Sequence, residues 1–316
     1  MKAGDLAARY RRFAEVECSE ESPAYAALAS GVARDPELLA LLAGADDTQP
    51  NLLFAAARFR GAPWESYRAF RSFVLARAPE VLATMASHRT QTNEVGRCAV
   101  LLPVLAALPQ PLALLEVGAA AGLALLLDHY SYRYTGEVTG AVGTGVVELP
   151  CVTRGAVPVP GTLPQVVWRL GLDREPVDLD DEHQIHWLEA CVWPDAPDRL
   201  ARLRAALEVA RRVPRSVIRG DAVDDLGAAA REAPSGATLV VFHSATLAYL
   251  SPPRRSRFIE RVKRLDAVWV ANEAPGIVAP DPSPRPTLHF VVTRDSRPLA
   301  LAHPHGRWIE WICPFV

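Results

Sequence analysis

At Pro109-Gln110-Pro111 the hydrophobic pattern of this chain changes period. Upstream, apolar residues return at three- and four-residue intervals, as in Leu38, Leu39, Leu41 and Leu42 and again in Phe70, Phe73 and Val74. That spacing lays one face of a helix against a core. Ser22-Pro23, Asp35-Pro36 and Ala78-Pro79 place proline where a first helical turn tolerates it. No alternating β-branched run interrupts this pattern, so residues 1–108 are expected to form a helical domain or cap of about five helices.

Beyond the prolines, short apolar runs bounded by turn residues alternate with helical stretches. The strand candidates are Leu112–Val117, Ser131–Tyr134, Ser216–Ile218, Thr238–Phe242 and Val268–Val270, with Leu288–Thr293 and Leu299–Ala302 as a closing antiparallel pair. Between them, Ala120–His129, Asp198–Arg212 and Pro253–Arg264 read as helices. Strands alternating with helices predict a doubly wound, mostly parallel sheet. The stretch 136–195, rich in glycine and proline, fits no minimal α/β unit and is expected to be an insertion within a 109–316 α/β domain.

Composition narrows the function classes. Half of the 316 residues are apolar, enough for one large core or two modest ones, and the net charge of −2 gives no nucleic-acid or membrane footprint. Five scattered cysteines without a C-x-x-C pair suit a reduced, cytoplasmic protein, and the N-terminus shows no apolar signal segment. The expected partner is a small-molecule substrate, with a homodimer left open. His183 with His186, and His303 with His305, lack a further ligand at a diagnostic spacing, so no metal is expected.

The residues most informative about chemistry are Leu114-Leu115-Glu116-Val117-Gly118-Ala119-Ala120-Ala121-Gly122-Leu123. An apolar strand ends in an acid, turns on a glycine, and reaches a second glycine four residues later. In doubly wound folds this turn lies where nucleotides bind. A carboxylate there repels a pyrophosphate but suits the sulfonium and ammonium of S-adenosylmethionine (SAM). Glu116 therefore favours SAM over a dinucleotide.

The motif resembles the first motif of class I SAM-dependent methyltransferases, with Ala120 where a middle glycine is usual. Val217-Ile218-Arg219-Gly220-Asp221-Ala222 resembles their third motif, whose acid reads the adenine edge, and the run from Val240 to Leu250 resembles the fourth, at the acceptor. The resemblance implies a seven-stranded, mostly parallel Rossmann-like sheet. Glu116, Gly118, Ala120, Gly122, Asp221, Ala222 and His243 would contact the cofactor. The ribose-binding acid expected after the second strand has Glu137 as its nearest candidate.

Over nearly its whole length the chain also resembles a bacterial family known as domain of unknown function 2332, through Thr92-Asn93-Glu94-Val95-Gly96-Arg97, the Glu116–Leu123 turn, Trp187–Pro194 and Phe242-His243-Ser244. That likeness supports the fold and a SAM-like site and says nothing of a substrate.

His243 follows a strand that reads as buried on both faces, at the edge where such sheets bind ligands. It is the first candidate for a general base, and Glu273 the second. Asn93, Glu94 and Arg97 are candidates for substrate binding, Arg97 through its bidentate fork, together with Trp193 and Tyr249. The expected activity is methyl transfer to a small molecule, with a non-catalytic SAM-binding protein and an NAD-dependent oxidoreductase as alternatives.

Overall fold

The computed structural model describes residues 3–18, 21–282 and 288–313. Its described residues form a mixed α/β protein with one sheet of eleven strands and two compact units. The helices are α1 (Ala3–Arg12), α2 (Pro23–Val32), α3 (Pro36–Leu42), α4 (Pro50–Phe59), α5 (Tyr67–Ala76), α6 (Ala78–Ser87), α7 (Cys98–Ala106), α8 (Glu182–Cys191), α9 (Pro197–Ala210), α10 (Leu226–Ala230) and α11 (Pro252–Val262).

The first unit takes residues 1–92 together with 180–201. Compactness thus divides the chain differently from sequence order: α8 and the start of α9 belong with the N-terminal helices. Helix starts follow the local chemistry read above. Ser22 caps α2 by accepting from the Tyr25 amide, and Asp35 caps α3 by accepting from Glu37 and Leu38, each with proline in the first turn. The core is aromatic: Phe54 meets Tyr10, Phe13, Tyr25 and Phe70 at ring centroids 4.7–6.1 Å apart, and Trp193 packs on Phe13 and Tyr25.

The second unit, residues 93–179 and 202–316, contains the sheet. Its strands are β1 (Leu112–Val117), β2 (Ser131–Gly136), β3 (Gly140–Val142), β4 (Glu148–Arg154), β5 (Val166–Asp173), β6 (Ser216–Arg219), β7 (Thr238–Ser244), β8 (Val268–Glu273), β9 (Phe290–Arg294), β10 (Arg297–Ala302) and β11 (Trp308–Trp311). They lie in the order β3-β2-β4-β11-β10-β9-β8-β7-β1-β5-β6. The block β6-β5-β1-β7-β8 is parallel throughout. Beyond it β9, β10 and β11 follow antiparallel to their predecessors, β4 and β2 are parallel, and β3 is an antiparallel edge.

Eleven strands replace the seven expected because residues 136–195, read as an insertion, contribute β3, β4 and β5, and because β11 follows the expected closing pair. The strand beside β1 is accordingly β5 and not β2, which lies far along the sheet. The region read as a helix over Ala120–His129 is a kinked 3₁₀ stretch over Ala124–His129. The closing pair is found where expected, as β9 and β10.

All six residues of β1 are buried, as a central parallel strand requires. One face of the block packs Leu115, Val117, Leu170, Leu172, Val241 and Trp269 against Leu226, Ala229, Phe258 and Val262 of α10 and α11. Helix α7, apolar on nearly every side, packs on β4, β8 and β9. From β1 the parallel chain order runs outward to β5 and β6, then resumes on the opposite side with β7 and β8. The reversal falls between β1 and β7, and the crevice beyond their carboxyl ends is where open α/β sheets bind ligands.

Candidate functional site at the strand ends

The turn after β1 is held by its own protein. The Gly118 amide donates to the Leu172 carbonyl at 2.8 Å, Ala120 to Asp173 Oδ2 at 2.7 Å, Ala121 to Asn93 Oδ1 at 3.1 Å, and Gly122 to the Ala119 carbonyl at 2.6 Å. With those N–H groups engaged, the turn offers little to a pyrophosphate. Gly118 and Gly122 have φ of 76° and 66°, and Ala120 is left-handed at 47°. A Cβ on Gly118 would stand 2.5 Å from Thr246 Cγ2, and one on Gly122 2.7 Å from Val217 Cγ2. Glycine is required at both positions by conformation and by packing.

Glu116 sits beneath this turn, 8% exposed, and its Oε2 has no hydrogen-bond partner. Burial pushes its carboxyl well above the usual range, and the nearby Asp173 charge adds to the shift. The Leu125 amide and Arg97 offset it in part. A buried acceptor left unsatisfied is costly, which makes this oxygen a natural partner for a donor or cation from a ligand.

Asp173 ends β5, whose register sets Gly171 against Glu116 and Leu172 against Val117. It is therefore the acid that closes the strand beside β1. Glu137, the candidate named from sequence, follows β2 instead, where its amide donates to Thr153. The sequence signal was present in Val166-Val167-Trp168-Arg169-Leu170-Gly171-Leu172-Asp173, an apolar run ending in an acid. Arg169 obscures it: this side chain reaches Asp128 and the Leu125 carbonyl, so a charge lies within a central strand.

His243 is not at the cleft as expected; it is fully buried. Side chains alternate along a strand. Glu116, Phe242, Ser244 and Asn272 share one face, while Leu115, Val241, His243, Trp269 and Glu273 share the face packed against α11. His243 Nδ1 lies 2.7 Å from Glu273 Oε1, and Nε2 accepts from the Trp269 indole at 3.0 Å. An indole N–H only donates. The imidazole proton is therefore on Nδ1, directed at Glu273. Both ring nitrogens of His243, expected as a general base, are engaged within the fold. Glu273, also buried, accepts on Oε1 from the amides of Thr246 and Leu247 at 2.7 and 3.0 Å. On the other face Asn272 Nδ2 donates to Ser244 Oγ at 2.9 Å, and its Oδ1 is buried without a partner.

The segment before α7 meets the same edge. Asn93 bonds the turn at Ala121, and its Nδ2 is buried without a partner. Glu94 Oε1 accepts from the Gly96 amide. Arg97 donates to the carbonyls of Pro304 and Ser244 at 2.8 and 3.2 Å and stacks over Phe290. Its guanidinium ties β7 and the segment after β10 together.

Asp221, expected to read an adenine, is engaged within the protein. Its Oδ1 accepts from Arg254 and the amides of Val223 and Asp224, its Oδ2 from Arg174 at 2.7 Å. Ala222 next to it is partly exposed. Tyr249 is 63% exposed, just past the β7 turn. Trp193 belongs to the first unit's aromatic core, its indole donating to Asn51 Oδ1 at 3.0 Å. Named from sequence as a substrate contact, it lies where α8 and the residues after it complete the helical core.

Among the described residues no helix is long and apolar enough to cross a membrane, and no group of three or more His, Cys, Asp or Glu suited to a metal occurs. Fold and site together define a mixed α/β protein whose polar strand ends gather at a topological switch point. The chain belongs to the bacterial family described as "Uncharacterized protein conserved in bacteria (DUF2332)", whose model matches residues 7–311. No curated protein and no solved structure matches it.

Proposed function

We propose that the crevice at the ends of β1, β5 and β7 binds SAM and that the protein is a SAM-dependent methyltransferase acting on a small molecule. The observation that carries this reading is the unsatisfied, buried Oε2 of Glu116 beside a glycine turn at a switch point. Glu116 fits the ammonium of SAM, and Asp173 fits the ribose hydroxyls, since carboxylate oxygens accept more than one donor. Asn93 Nδ2, buried without a partner beside the turn, is a further donor. The bound group would supply an activated methyl on a sulfonium. The protein's part is orientation and exclusion of water. With His243 and Glu273 Oε1 engaged in the fold, the acceptor is positioned without a protein base from this pair.

A second reading is a SAM-fold protein that binds without turnover. It is favoured by the filled spaces over Gly118 and Gly122 and by the engaged Asp221. A dinucleotide fits less well, because the turn amides are already used. Calorimetric titration of the full chain with SAM, S-adenosylhomocysteine and NAD separates the three. The first reading expects heat with both adenosyl ligands and none with NAD. Absence of heat with either adenosyl ligand overturns it. Binding with no methyl transfer to any acceptor in a small-molecule pool favours the second.

A further inference from the structure

Thr246 is the point where the β7 turn meets the β1 turn. Ala245 takes the left-handed conformation, φ 56°, and carries the chain back over Gly118. Thr246 Cγ2 and Oγ1 lie 2.5 and 2.6 Å from where a Gly118 Cβ would stand. Its hydroxyl donates to the Val117 carbonyl at 3.2 Å. From behind, one oxygen of Glu273 holds the amides of Thr246 and Leu247. That oxygen also accepts a hydrogen bond from His243 Nδ1–H, and His243 is fixed in turn by Trp269. A continuous chain of hydrogen bonds thus runs from the sheet interior to the space above the glycine turn.

We propose that Thr246 is a positioning residue that closes the crevice over Gly118, and that Glu273 holds it closed. The identity of the ligand admitted rests on the SAM reading; the closure does not. A ligand lying on the turn needs the volume that the Thr246 side chain fills, so residues 245–247 must swing away for it to enter. Glu273 opposes that swing through both amides and transfers no proton. Its Oε2 has no partner, so the loop is retained by one oxygen alone.

Two measurements on the full chain test this. Glu273→Gln keeps the shape and one acceptor oxygen but removes the charge that strengthens all three bonds. In amide hydrogen exchange, the amides of Thr246 and Leu247 should exchange about tenfold faster in E273Q, with Val240 and Val241 unchanged. Equal acceleration along all of β7, or no change at 246 and 247, overturns the latch. In titration with S-adenosylhomocysteine, Thr246→Ala should bind about fivefold more tightly than wild type, since no population is lost to the closed state. Thr246→Val, of equal bulk, should show no gain. Wild-type binding with T246A equal or weaker overturns the closure. If none of these proteins binds the ligand, the SAM reading fails, and the exchange measurement decides the latch on its own.

Discussion

Glu116 carries opposing demands of stability and function. Its buried carboxyl has a pKa raised above the ordinary 4.5, first by burial and then by Asp173. A raised value means that the fold prefers the neutral form. The contribution of this group to stability is therefore complete below about pH 4.5 and is lost as pH rises through the raised value. Glu116→Gln, which has no charge to desolvate, should be more stable than wild type at neutral pH. The difference should shrink toward pH 4.5, as thermal melts across that range would show. The same variant should weaken an adenosyl ligand about tenfold or more by removing its charged acceptor. Ala120 and Ala245 pose a simpler case. Left-handed backbone costs a residue with a Cβ about 1–2 kcal/mol, and glycine returns part of that through unfolded-state entropy. Ala120→Gly and Ala245→Gly should each raise stability by about 0.5–1 kcal/mol in denaturant melts.

Among the elements, β5 and β6 show how a strand end becomes rigid. Asp221 follows β6. Burial disfavours its charge, but hydrogen bonds from Arg174 and the amides of Val223 and Asp224, with the charge of Arg254, outweigh this and hold its pKa at about 2. Lowered from 3.8, this group contributes stability that is present above pH 3.8 and lost as pH falls toward 2. Asp221→Asn should cost about 1 kcal/mol at neutral pH, reduced by solvent screening of the arginines, and distinctly less at pH 2, where the carboxyl is half protonated. Denaturant melts at the two pH values measure this. The same elements mark the limit of sequence reading. β1, β7 and β8 announced themselves because strands buried on both faces are continuously apolar. β5 concealed itself behind Arg169, and β4 behind Pro150 in a chain that otherwise alternates in and out. The acid at the end of the strand beside β1 is Asp173, whereas Glu137 follows β2.

Across the whole molecule, residues distant in sequence complete each core. Trp187 and Trp193 lie in the first unit's hydrophobic cluster with Phe54 and Tyr25, although about 100 residues separate them from Ser87, where the preceding helix of that unit ends. A fragment of residues 1–108 lacks both and should give no cooperative melt by circular dichroism. A chain joining 1–92 to 180–201 through a flexible linker should melt cooperatively. Trp193→Ala in the full chain should cost about 3–5 kcal/mol, the range for a large core aromatic. The sequence by itself determined the helical first part, the caps at Ser22 and Asp35, the buried parallel strands and the acid-glycine turn, because these depend on local periodicity and backbone preference. Only the tertiary structure decided that β5 borders β1, that eleven strands share one sheet, and that His243 faces inward. Strand neighbours and the contents of a core depend on contacts between segments far apart in the chain, which no local pattern encodes. For His243 the deciding fact was a half-turn of the strand. Phe242 and Ser244 share Glu116's face, and the residue between them points into the core, where Trp269 and Glu273 hold it.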